Sequence, residues 1–372
     1  MCKGCVDKGF IPAPGCGIVA DMWGVPARAK QKQLITIGIG LLACAFTSSS
    51  AIAQSEAGFQ AYLPDLRAEA LAAGVSARTV DAVFPTLTMS QRVIDLDRDQ
   101  PGGSPNAPVA MFAPYRVKHV DAARIRRGEA AYQANRAKLL RIEDETGVPE
   151  SIMVSIWGHE TNYGGYTGDF DLPNSLATLA YEGRRRPLFE KEFIDSLKMI
   201  DEGVPRATLQ GSWAGATGGP QFLPSVYLRL ARDGDGDGRA DIWNDDADVL
   251  ASIANYFVNA GWRKGEPWGF AVSVPSSVDV DAMPGLTVSP RCPKVYARHS
   301  QWKTMAEWRA LGIVPMTRSW PADNQMLATL IEPDGPGQTA YLLTGNYRVI
   351  LDYNCSNFYA LSVGLLADAI SQ

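Results

Sequence analysis

Residues 155–165 read SIWGHETNYGG and place a carboxylic acid on an apolar surface. Helical spacing puts Glu160 one turn after Ile156 and two turns after Ile152, so the three side chains share one face. The glycine pair 164–165 is expected to end the helix. A carboxyl group on an apolar face is desolvated, which raises its pKa and suits it to general acid catalysis near neutral pH. An ion-paired structural glutamate is the alternative.

A second segment, 211–225, is rich in glycine and alanine and reads GSWAGATGGPQFLPS. This composition is typical of a loop whose backbone approaches a ligand closely. Its side chains Ser212 and Gln221 can hydrogen-bond hydroxyl or N-acetyl groups of such a ligand. A tight structural connector is the alternative interpretation.

The composition limits the class of protein. The chain has 372 residues, of which 46% are hydrophobic, so it can bury one large core or two modest ones. Its formal net charge is −5 and its pI is about 5.4, with no run rich in lysine and arginine. These values argue against nucleic acid or an anionic membrane as the partner. Three histidines, none in pairs, leave little room for a histidine-built metal site.

The N-terminal segment 1–53 carries the pattern of an export signal. Basic residues precede an apolar run at 34–46, which is short for a membrane span, and residues 51–53 form an A-x-A cleavage site. The residues before Met22 are unusual for such a signal, so Met22 is an alternative start. A second interpretation takes the sequence ending at Cys44 as a loose lipobox, in which case Cys44 would be acylated and tether the protein to a membrane.

Two cysteines, Cys292 and Cys355, lie beyond the predicted signal peptide. In an exported protein, two cysteines far apart in sequence most simply form one disulfide, here across the C-terminal region. Two unlinked buried thiols are the alternative.

Hydrophobic spacing predicts a mostly helical chain. Residues 56–84 predict two short helices, and the proline-rich stretch 99–114 predicts a linker. A long polar helix is expected over 117–146, ending at Gly147. Further helices are expected at 150–163, about 187–202, 246–260 and 357–370.

A smaller part of the chain has the period of β-strands. Valines alternate over 272–280, and a Thr-Gly-Asn turn between 341–343 and 347–351 predicts a hairpin. We therefore expect an N-terminal helical region at 54–110, a helical core at 111–268, a small β-containing subdomain at 269–352 and a C-terminal helix returning to the core at 353–372.

Four blocks of sequence occur in a recognisable order. They are Gly-x-Glu-Thr-x-Tyr-Gly at 158–164, Ser-x-Ala-Gly-Ala-x-Gly-x-x-Gln-Phe-x-Pro-Ser at 212–225, Ala-Asn-Tyr-Phe at 254–257, and a stretch rich in tyrosine and asparagine at 346–360. In this order they resemble the membrane-bound lytic murein transglycosylases of the B type, lysozyme-like enzymes of bacterial cell walls. The resemblance implies a mainly α (α+β) fold with a lysozyme-like catalytic core and a small β-containing subdomain.

The resemblance implies that Glu160 is a single catalytic acid/base and that the chemistry needs no cofactor. Glu160 would protonate the glycosidic oxygen between N-acetylmuramic acid and N-acetylglucosamine, then take the proton of the muramoyl C6 hydroxyl as a 1,6-anhydro ring closes. A hydrolysing muramidase would want a second carboxylate, for which Asp169 and Asp171 are the nearby candidates. A non-catalytic wall-binding protein is the other rival.

The family's substrate contacts also fall on positions of this chain. Tyrosine rings stack on sugar faces while their hydroxyls reach polar partners, although packing between the last helix and the core is the alternative. Arg184 and Arg185 match an arginine pair that would face the carboxylates of the peptide stem, with a solvated basic turn as the alternative. The saccharide-contacting positions are Ser212, Gln221, Tyr256, Tyr353, Asn354 and Tyr359.

Residues 233–244 read DGDGDGRADIWN and follow the pattern of an EF-hand calcium loop. Position twelve is Asn244, where a bidentate carboxylate normally binds, so affinity should be weak unless Asp245 or Asp246 replaces it. Related enzymes carry a comparable loop, so the resemblance implies a structural Ca²⁺; an unmetallated acidic turn is the alternative. The predicted ligands are Asp233, Asp235, Asp237, the backbone carbonyl of Arg239, and Asp241.

The resemblance implies that the partner is the glycan strands of peptidoglycan, and the charge of the chain argues against nucleic acid. The export signal predicts that the protein acts in the periplasm, and we expect a monomer. A lipid anchor at Cys44 would instead make it an outer-membrane lipoprotein.

Overall fold

The computed structural model describes residues 55–100, 110–285, 292–316 and 318–371. The predicted signal peptide, with Met22 and Cys44, and the middle of the predicted linker lie outside these residues. In the part of the chain that is described, no helix has the length and apolar character needed to cross a membrane.

Helices make up most of the fold, as the sequence predicts. Several begin at side-chain caps; Asp121, for example, accepts hydrogen bonds from the amides of Ala123 and Arg124. The helices are α1 (Glu56–Ala72), α2 (Ala77–Val83), α3 (Gln91–Arg98), α4 (Phe112–His119), α5 (Ala122–Ala134), α6 (Arg136–Thr146), α7 (Glu150–Thr161), α8 (Leu172–Glu182), α9 (Arg186–Asp201), α10 (Pro224–Leu230), α11 (Asp246–Asn259), α12 (Pro293–Tyr296), α13 (Met305–Ala310), α14 (Gly345–Tyr353) and α15 (Asn357–Ile370).

The strands form two antiparallel sheets. A two-stranded sheet pairs β1 with β2, and a five-stranded sheet has the order β4-β6-β7-β3-β5. The strands are β1 (Phe170–Asp171), β2 (Gln210–Gly211), β3 (Gly269–Ser273), β4 (Lys303–Thr304), β5 (Val314–Pro315), β6 (Leu327–Ile331) and β7 (Ala340–Leu343). The fold is therefore mainly α with small antiparallel sheets, which confirms the predicted class.

The buried apolar side chains of the described residues gather around three centres. The largest joins α4, α6, α7, α11, α14 and α15. A second joins α1, α2 and α3 to α8 and α9, and a third lies between the five-stranded sheet and α13. Helix α15 packs on α7, where the Ser155 hydroxyl donates to the carbonyl of Val363 at 2.7 Å. The division of the chain into the domains given above stays a prediction.

The expected long helix over 117–146 is wrong. The chain forms α4, α5 and α6 there, because Asp121 caps a new helix and Asn135 interrupts the next turn with φ −108° and ψ 12°. The predicted end at Gly147 is confirmed, since this residue has φ 72° and caps α6.

The expected hairpin at 341–351 is half wrong. Residues 341–343 lie in β7 as predicted, but 347–351 belong to α14. Thr344 caps this helix by accepting a hydrogen bond from the amide of Asn346, and a short apolar run fits a buried helix as well as a strand. The alternating valines at 272–280 also predicted too long a strand, since β3 ends at Ser273.

The predicted disulfide is confirmed. Cys292 and Cys355 are bonded, with their Cα atoms 5.6 Å apart across 63 residues of sequence. The bond ties the segment before α12 to the turn between α14 and α15. It therefore restrains the turn that leads into Tyr359, one of the predicted site residues.

Candidate active site

Glu160 lies near the end of α7 and is half-buried. Burial raises the pKa of its carboxyl to about 7, and a hydrogen bond from the Tyr359 hydroxyl opposes that rise. The hydroxyl lies 2.5 Å from Oε1 and comes from α15, 199 residues further along the chain. The Glu160 carboxyl is therefore desolvated, as the sequence predicts. Among the described residues it forms no salt bridge, so the alternative of an ion-paired structural glutamate does not hold.

The chain leaves α7 through an unusual turn. Asn162 and Tyr163 have φ of 54° and 62°, a left-handed conformation that costs non-glycine residues free energy, and Gly164 follows with φ 77°. The Thr161 hydroxyl lies 3.1 Å from the carbonyl of Gly219, which joins this turn to the glycine-rich loop. The helix therefore ends at Thr161, one residue beyond Glu160 and before the glycine pair that was expected to stop it.

Gly158 makes this turn possible. A Cβ atom at this position would lie 2.5 Å from the Tyr163 ring. The Tyr163 hydroxyl donates to the carbonyl of Arg124 at 2.9 Å, and the Arg124 guanidinium donates to the carbonyl of Gly158 at 2.6 Å. Helix α5 is thereby fixed against the end of α7 that carries Glu160.

His159 is neutral and contacts two residues of α15, Tyr359 and Ser362. Burial lowers the pKa of His159 to about 3, so the ring carries a single N–H. Nδ1 lies 2.9 Å from the carbonyl of Ser155 and donates to it, so Nε2 accepts from the Ser362 hydroxyl at 2.8 Å. The His159 ring also packs edge-on against Tyr359. No sequence motif predicted Ser362, although it lies one helical turn after Tyr359.

Tyr115 is a second residue near Glu160 that the sequence did not predict. It is half-buried beside Ser362, and its ring stacks on His119 at 3.7 Å. Burial raises the pKa of its hydroxyl, and the charge of Glu160 raises it further. No motif marks Tyr115, because α4 reaches the site only through tertiary packing.

The glycine-rich loop lies against the end of α7. Gln221 has φ 53°, and its amide nitrogen donates at 3.0 Å to the carbonyls of Thr167 and Gly218. The Ser212 hydroxyl accepts from the amide of Ala216 at 3.0 Å. Both predicted polar side chains therefore help to hold the loop in shape, and their contact with a saccharide stays a prediction.

The four C-terminal candidates have different surroundings. Tyr359 contacts Glu160, as described above. Tyr256 and Tyr353 are only 4% and 1% exposed, and their hydroxyls donate to the carbonyls of Asp352 and Pro220. For these two residues the geometry favours the packing alternative, with Tyr353 bracing the glycine-rich loop. Oδ1 of Asn354 is buried and has no hydrogen-bond partner among the described residues.

Arg184 and Arg185 face a protein carboxylate. Both pair with Asp97, which is 1% exposed, and Nε of Arg184 lies 3.0 Å from Oδ2. The Arg185 guanidinium also lies 4.8 Å from the centre of the Phe189 ring. The pair therefore joins the end of α3 to the start of α9, and its contact with a peptide stem stays a prediction.

Neither candidate for a second catalytic carboxylate pairs with Glu160. Asp171 caps α8 through the amide of Asn174 at 2.9 Å and binds the Arg206 guanidinium at 2.6 and 2.7 Å. Asp169 accepts from the Tyr166 hydroxyl at 3.2 Å. Among the described residues, only burial and Tyr359 shift the pKa of Glu160.

The EF-hand-like loop gathers three carboxylates. Asp233, Asp235 and Asp248 each offer an oxygen within 4.8 Å of the others. Asp233 accepts from the amides of Gly236 and Gly238, which lowers its pKa, and burial raises the pKa of Asp248. A cation would relieve the cost of burying the Asp248 carboxylate, so the residues present fit a calcium ion.

Neither Asp245 nor Asp246, the two carboxylates expected to replace the one missing at position twelve, belongs to this group of three. Asp245 caps α11, and Asp246 accepts from the Asn135 amide at 3.2 Å. Asp248 instead accepts from the amides of Gly234 and Asp241 at 2.6 Å, inside the loop. The EF-hand pattern does not predict Asp248, because this residue lies four positions beyond the end of the twelve-residue loop.

Comparison with known proteins decides the family. Residues 58–368 match the family described as the Transglycosylase SLT domain. The chain belongs to this family. It is also 31% identical, over 270 residues, to the membrane-bound lytic murein transglycosylase B of Escherichia coli, a match that covers 72% of this chain and 69% of that protein. The family predicted from the four sequence blocks is therefore confirmed.

Solved structures of the family share the fold. SltB3 of Pseudomonas aeruginosa, solved with NAG-NAM-pentapeptide, matches with a TM-score of 0.75 and 35% identity over 84% of this chain and 79% of that one. The soluble lytic transglycosylase SltB1 of the same organism matches with a TM-score of 0.67 and 29% identity, over 85% and 97% of the two chains. Escherichia coli Slt35, solved with calcium, matches with a TM-score of 0.66 and 27% identity, over 85% and 93%.

Proposed function

We propose that the chain is a peptidoglycan lytic transglycosylase that cleaves the MurNAc-β-1,4-GlcNAc bond and leaves 1,6-anhydroMurNAc ends. The observation that carries the proposal is a single half-buried carboxyl, Glu160, whose pKa is about 7 and whose partner is a tyrosine hydroxyl. Membership of the family and the solved complexes of its members support the substrate class.

The reaction uses Glu160 twice. The protonated carboxyl gives its proton to the glycosidic oxygen as the bond to the muramoyl C1 breaks. The carboxylate then takes the proton of the C6 hydroxyl while that oxygen bonds to C1, so no water is added. A pKa near 7 suits both steps, because the two forms of the acid are then similar in free energy.

Tyr359 sets the balance between these forms. Its hydroxyl donates to Oε1, which stabilises the carboxylate, while burial stabilises the acid. The bond from Ser362 to His159 and the packing of His159 on Tyr359 hold the pair in place. We propose that Ser212, Gln221 and Asn354 contact the saccharide near this pair.

Product analysis tests the proposal against hydrolysis. The mature protein is incubated with purified peptidoglycan and the released fragments are analysed by mass spectrometry. Anhydromuramoyl ends, lighter by one water than reducing ends, are expected. Reducing muramic acid ends would make the protein a muramidase, and no release at all would favour the wall-binding alternative.

The pH dependence of the reaction should follow Glu160. The carboxyl must be protonated to act as the acid and its pKa is raised to about 7, so activity should be retained below that pH and fall as the pH rises through it. In Tyr359→Phe the stabilising hydrogen bond is lost, the pKa of Glu160 rises, and the alkaline limb should move to higher pH. Rates of fragment release measured across the pH range check both statements.

Tyr166→Phe is the matched control, because it removes an exposed hydroxyl that bonds Asp169 and not Glu160. Its alkaline limb should coincide with that of the wild-type protein. A limb that stays in place in Tyr359→Phe, or moves to lower pH, would contradict the assignment of Tyr359.

We further propose that the loop at 233–248 binds a structural Ca²⁺, with Asp248 in place of a carboxylate at position twelve. Asp233, Asp235, Asp237, the carbonyl of Arg239, and Asp241 complete the proposed ligand set. The gathered carboxylates support the proposal, and the relative Slt35 has been solved with calcium. The ion would fix this loop against α11, which carries Tyr256.

Calcium should stabilise the protein through this loop. For a site of about millimolar affinity, calcium at about 10 mM should raise the Tm by about 2–4 °C. Asp248→Asn should abolish this rise in Tm. Asp246→Asn should keep it, because the Asp246 carboxylate accepts a hydrogen bond from Asn135 and is not a proposed ligand. Thermal unfolding with calcium, magnesium or neither measures this, and an equal rise in Asp248→Asn would contradict the proposed ligand.

We also propose that the protein works in the periplasm as a monomer on glycan strands. The export pattern of the sequence and the cell-wall substrate support this location. Acylation of Cys44 would add a membrane tether, and mass spectrometry of the protein recovered from cells distinguishes the acylated from the cleaved form.

A further inference from the structure

A pocket of about 560 Å³ lies beside one face of α14, between the end of α11 and the segment that follows α12. This volume suits a small ligand. Neither Glu160 nor Tyr359 is among the residues that line it, so the pocket is distinct from the site of that carboxyl. Its lining includes Ala260, Tyr296, Trp302, Leu327, Arg348 and Asp352.

Arg348 is the charged centre of this pocket. Its guanidinium carbon lies 4.6 Å from the centre of the Tyr296 ring and 4.7 Å from that of Trp302. Two cation–π contacts hold the side chain in one orientation before a ligand binds. A fixed guanidinium fork matches the two oxygens of a carboxylate.

No carboxylate of the described residues forms a salt bridge with Arg348. The side chain is half-buried, its Nε has no hydrogen-bond partner there, and burial lowers the pKa of the group. Burying a charge without an opposite charge costs free energy, which a bound anion would offset. Among the described residues, the lack of a salt bridge distinguishes Arg348 from Arg263, another arginine of the lining, whose guanidinium lies 3.2 Å from the Glu266 carboxylate.

The other residues of the lining indicate which further groups the anionic ligand would carry. Asp352 lies one helical turn after Arg348 and accepts from the Tyr256 hydroxyl at 3.2 Å; a carboxylate can accept further hydrogen bonds. A ligand would therefore present a carboxylate to Arg348 and an N–H to Asp352. Ala260 and the exposed side chain of Leu327 give the pocket an apolar surface that small apolar groups of a ligand can contact.

We propose that this pocket binds the carboxylate end of a short peptide with small apolar side chains, with Arg348 pairing the carboxylate and Asp352 accepting a peptide N–H. The proposal rests on the proposed function, because the peptide stems of peptidoglycan have this chemistry. The pocket would hold a stem away from Glu160 and add affinity for the uncut wall.

Nuclear magnetic resonance of the wild-type protein tests the pocket directly. The probe is D-alanyl-D-alanine, and the signal is the indole N–H of Trp302, assigned by its loss in Trp302→Phe. The dipeptide should shift this signal to saturation. Its C-terminal amide, which lacks the carboxylate, and acetate, which lacks the N–H, should each bind at least about tenfold more weakly.

Arg348→Gln should weaken dipeptide binding at least about tenfold. Arg309→Gln is the matched control, since Arg309 lies 5.1 Å from the Trp320 ring outside the pocket, and it should bind as the wild type does. If Arg348→Gln fails to fold, Arg348→Lys keeps the charge without the fork and should bind less tightly than the wild type.

Equal binding of the amide or of acetate, no saturable shift, or unchanged binding in the Arg348 variants would each overturn the proposal. The result is independent of the lytic reaction. If the protein binds the dipeptide but releases no anhydromuramoyl fragments, the proposed pocket stands and the proposed function is refuted. If it releases these fragments but does not bind the dipeptide, the proposed function stands and the proposed pocket is refuted.

Discussion

Glu160→Gln should lower the rate of fragment release from peptidoglycan by about 10³-fold, in the range that general acid catalysis contributes. Glutamine has nearly the same shape, and its carbonyl oxygen can still accept the hydrogen bond from Tyr359. It cannot give a proton to the glycosidic oxygen or take one from the C6 hydroxyl. Binding should therefore persist while chemistry stops, and the rate at saturating substrate is the quantity to measure.

Asp169→Asn is the control for this prediction. It makes the same change of carboxylate to amide in an exposed residue that bonds Tyr166, and the rate should change little. Full lytic activity in Glu160→Gln would refute the assignment of the acid. An equal loss in Asp169→Asn, with reducing muramic acid ends in the wild-type products, would point to hydrolysis by two carboxylates.

Asp97→Ala should lower the free energy of unfolding by about 3 kcal/mol, the lower end of the cost of breaking a buried ion pair. Asp97 is 1% exposed and pairs with both Arg184 and Arg185, so its removal leaves two guanidinium groups without that carboxylate. The Arg184 side chain is 42% exposed and recovers water, whereas that of Arg185 is 14% exposed and recovers little. Urea unfolding of the two proteins measures the difference.

The exposed pair of Arg67 and Asp81 provides the comparison. Its side chains are 43% and 63% exposed and lie 2.6 Å apart. Asp81→Ala should cost at most about 0.5 kcal/mol, because water screens such a pair. If the two variants lose equal stability, the arginines are not held by Asp97, and the interpretation that they face a peptide stem regains support.

The sequence predicted the desolvated carboxyl of Glu160 because the signal is local. Helical spacing aligns Glu160 with Ile152 and Ile156, both of which are buried, and burial raises the pKa of the Glu160 carboxyl. The family followed from blocks whose order is a property of the chain. The disulfide followed from counting, since only Cys292 and Cys355 lie beyond the predicted export signal.

The prediction of secondary structure was wrong where one sequence pattern is compatible with two structures. The run 347–351 is short and apolar, and the cap at Thr344 together with packing in the largest core makes it a helix. The polar stretch 117–146 keeps helical spacing throughout, so its breaks depend on Asp121 and Asn135 finding partners nearby.

The sequence by itself determined the helical class, the acid, the loop of acidic residues and the cysteine pair, because each depends on neighbours along the chain or on a simple count. Tertiary structure alone decided that Tyr359 bonds Glu160, that Asp97 takes Arg184 and Arg185, and that Asp248 completes the acidic loop. It also decided that Tyr256 and Tyr353 are buried. The contacts of Tyr359 and Asp97 join segments far apart in the chain, and that of Asp248 depends on how the loop folds back on α11, so no local spacing encodes them.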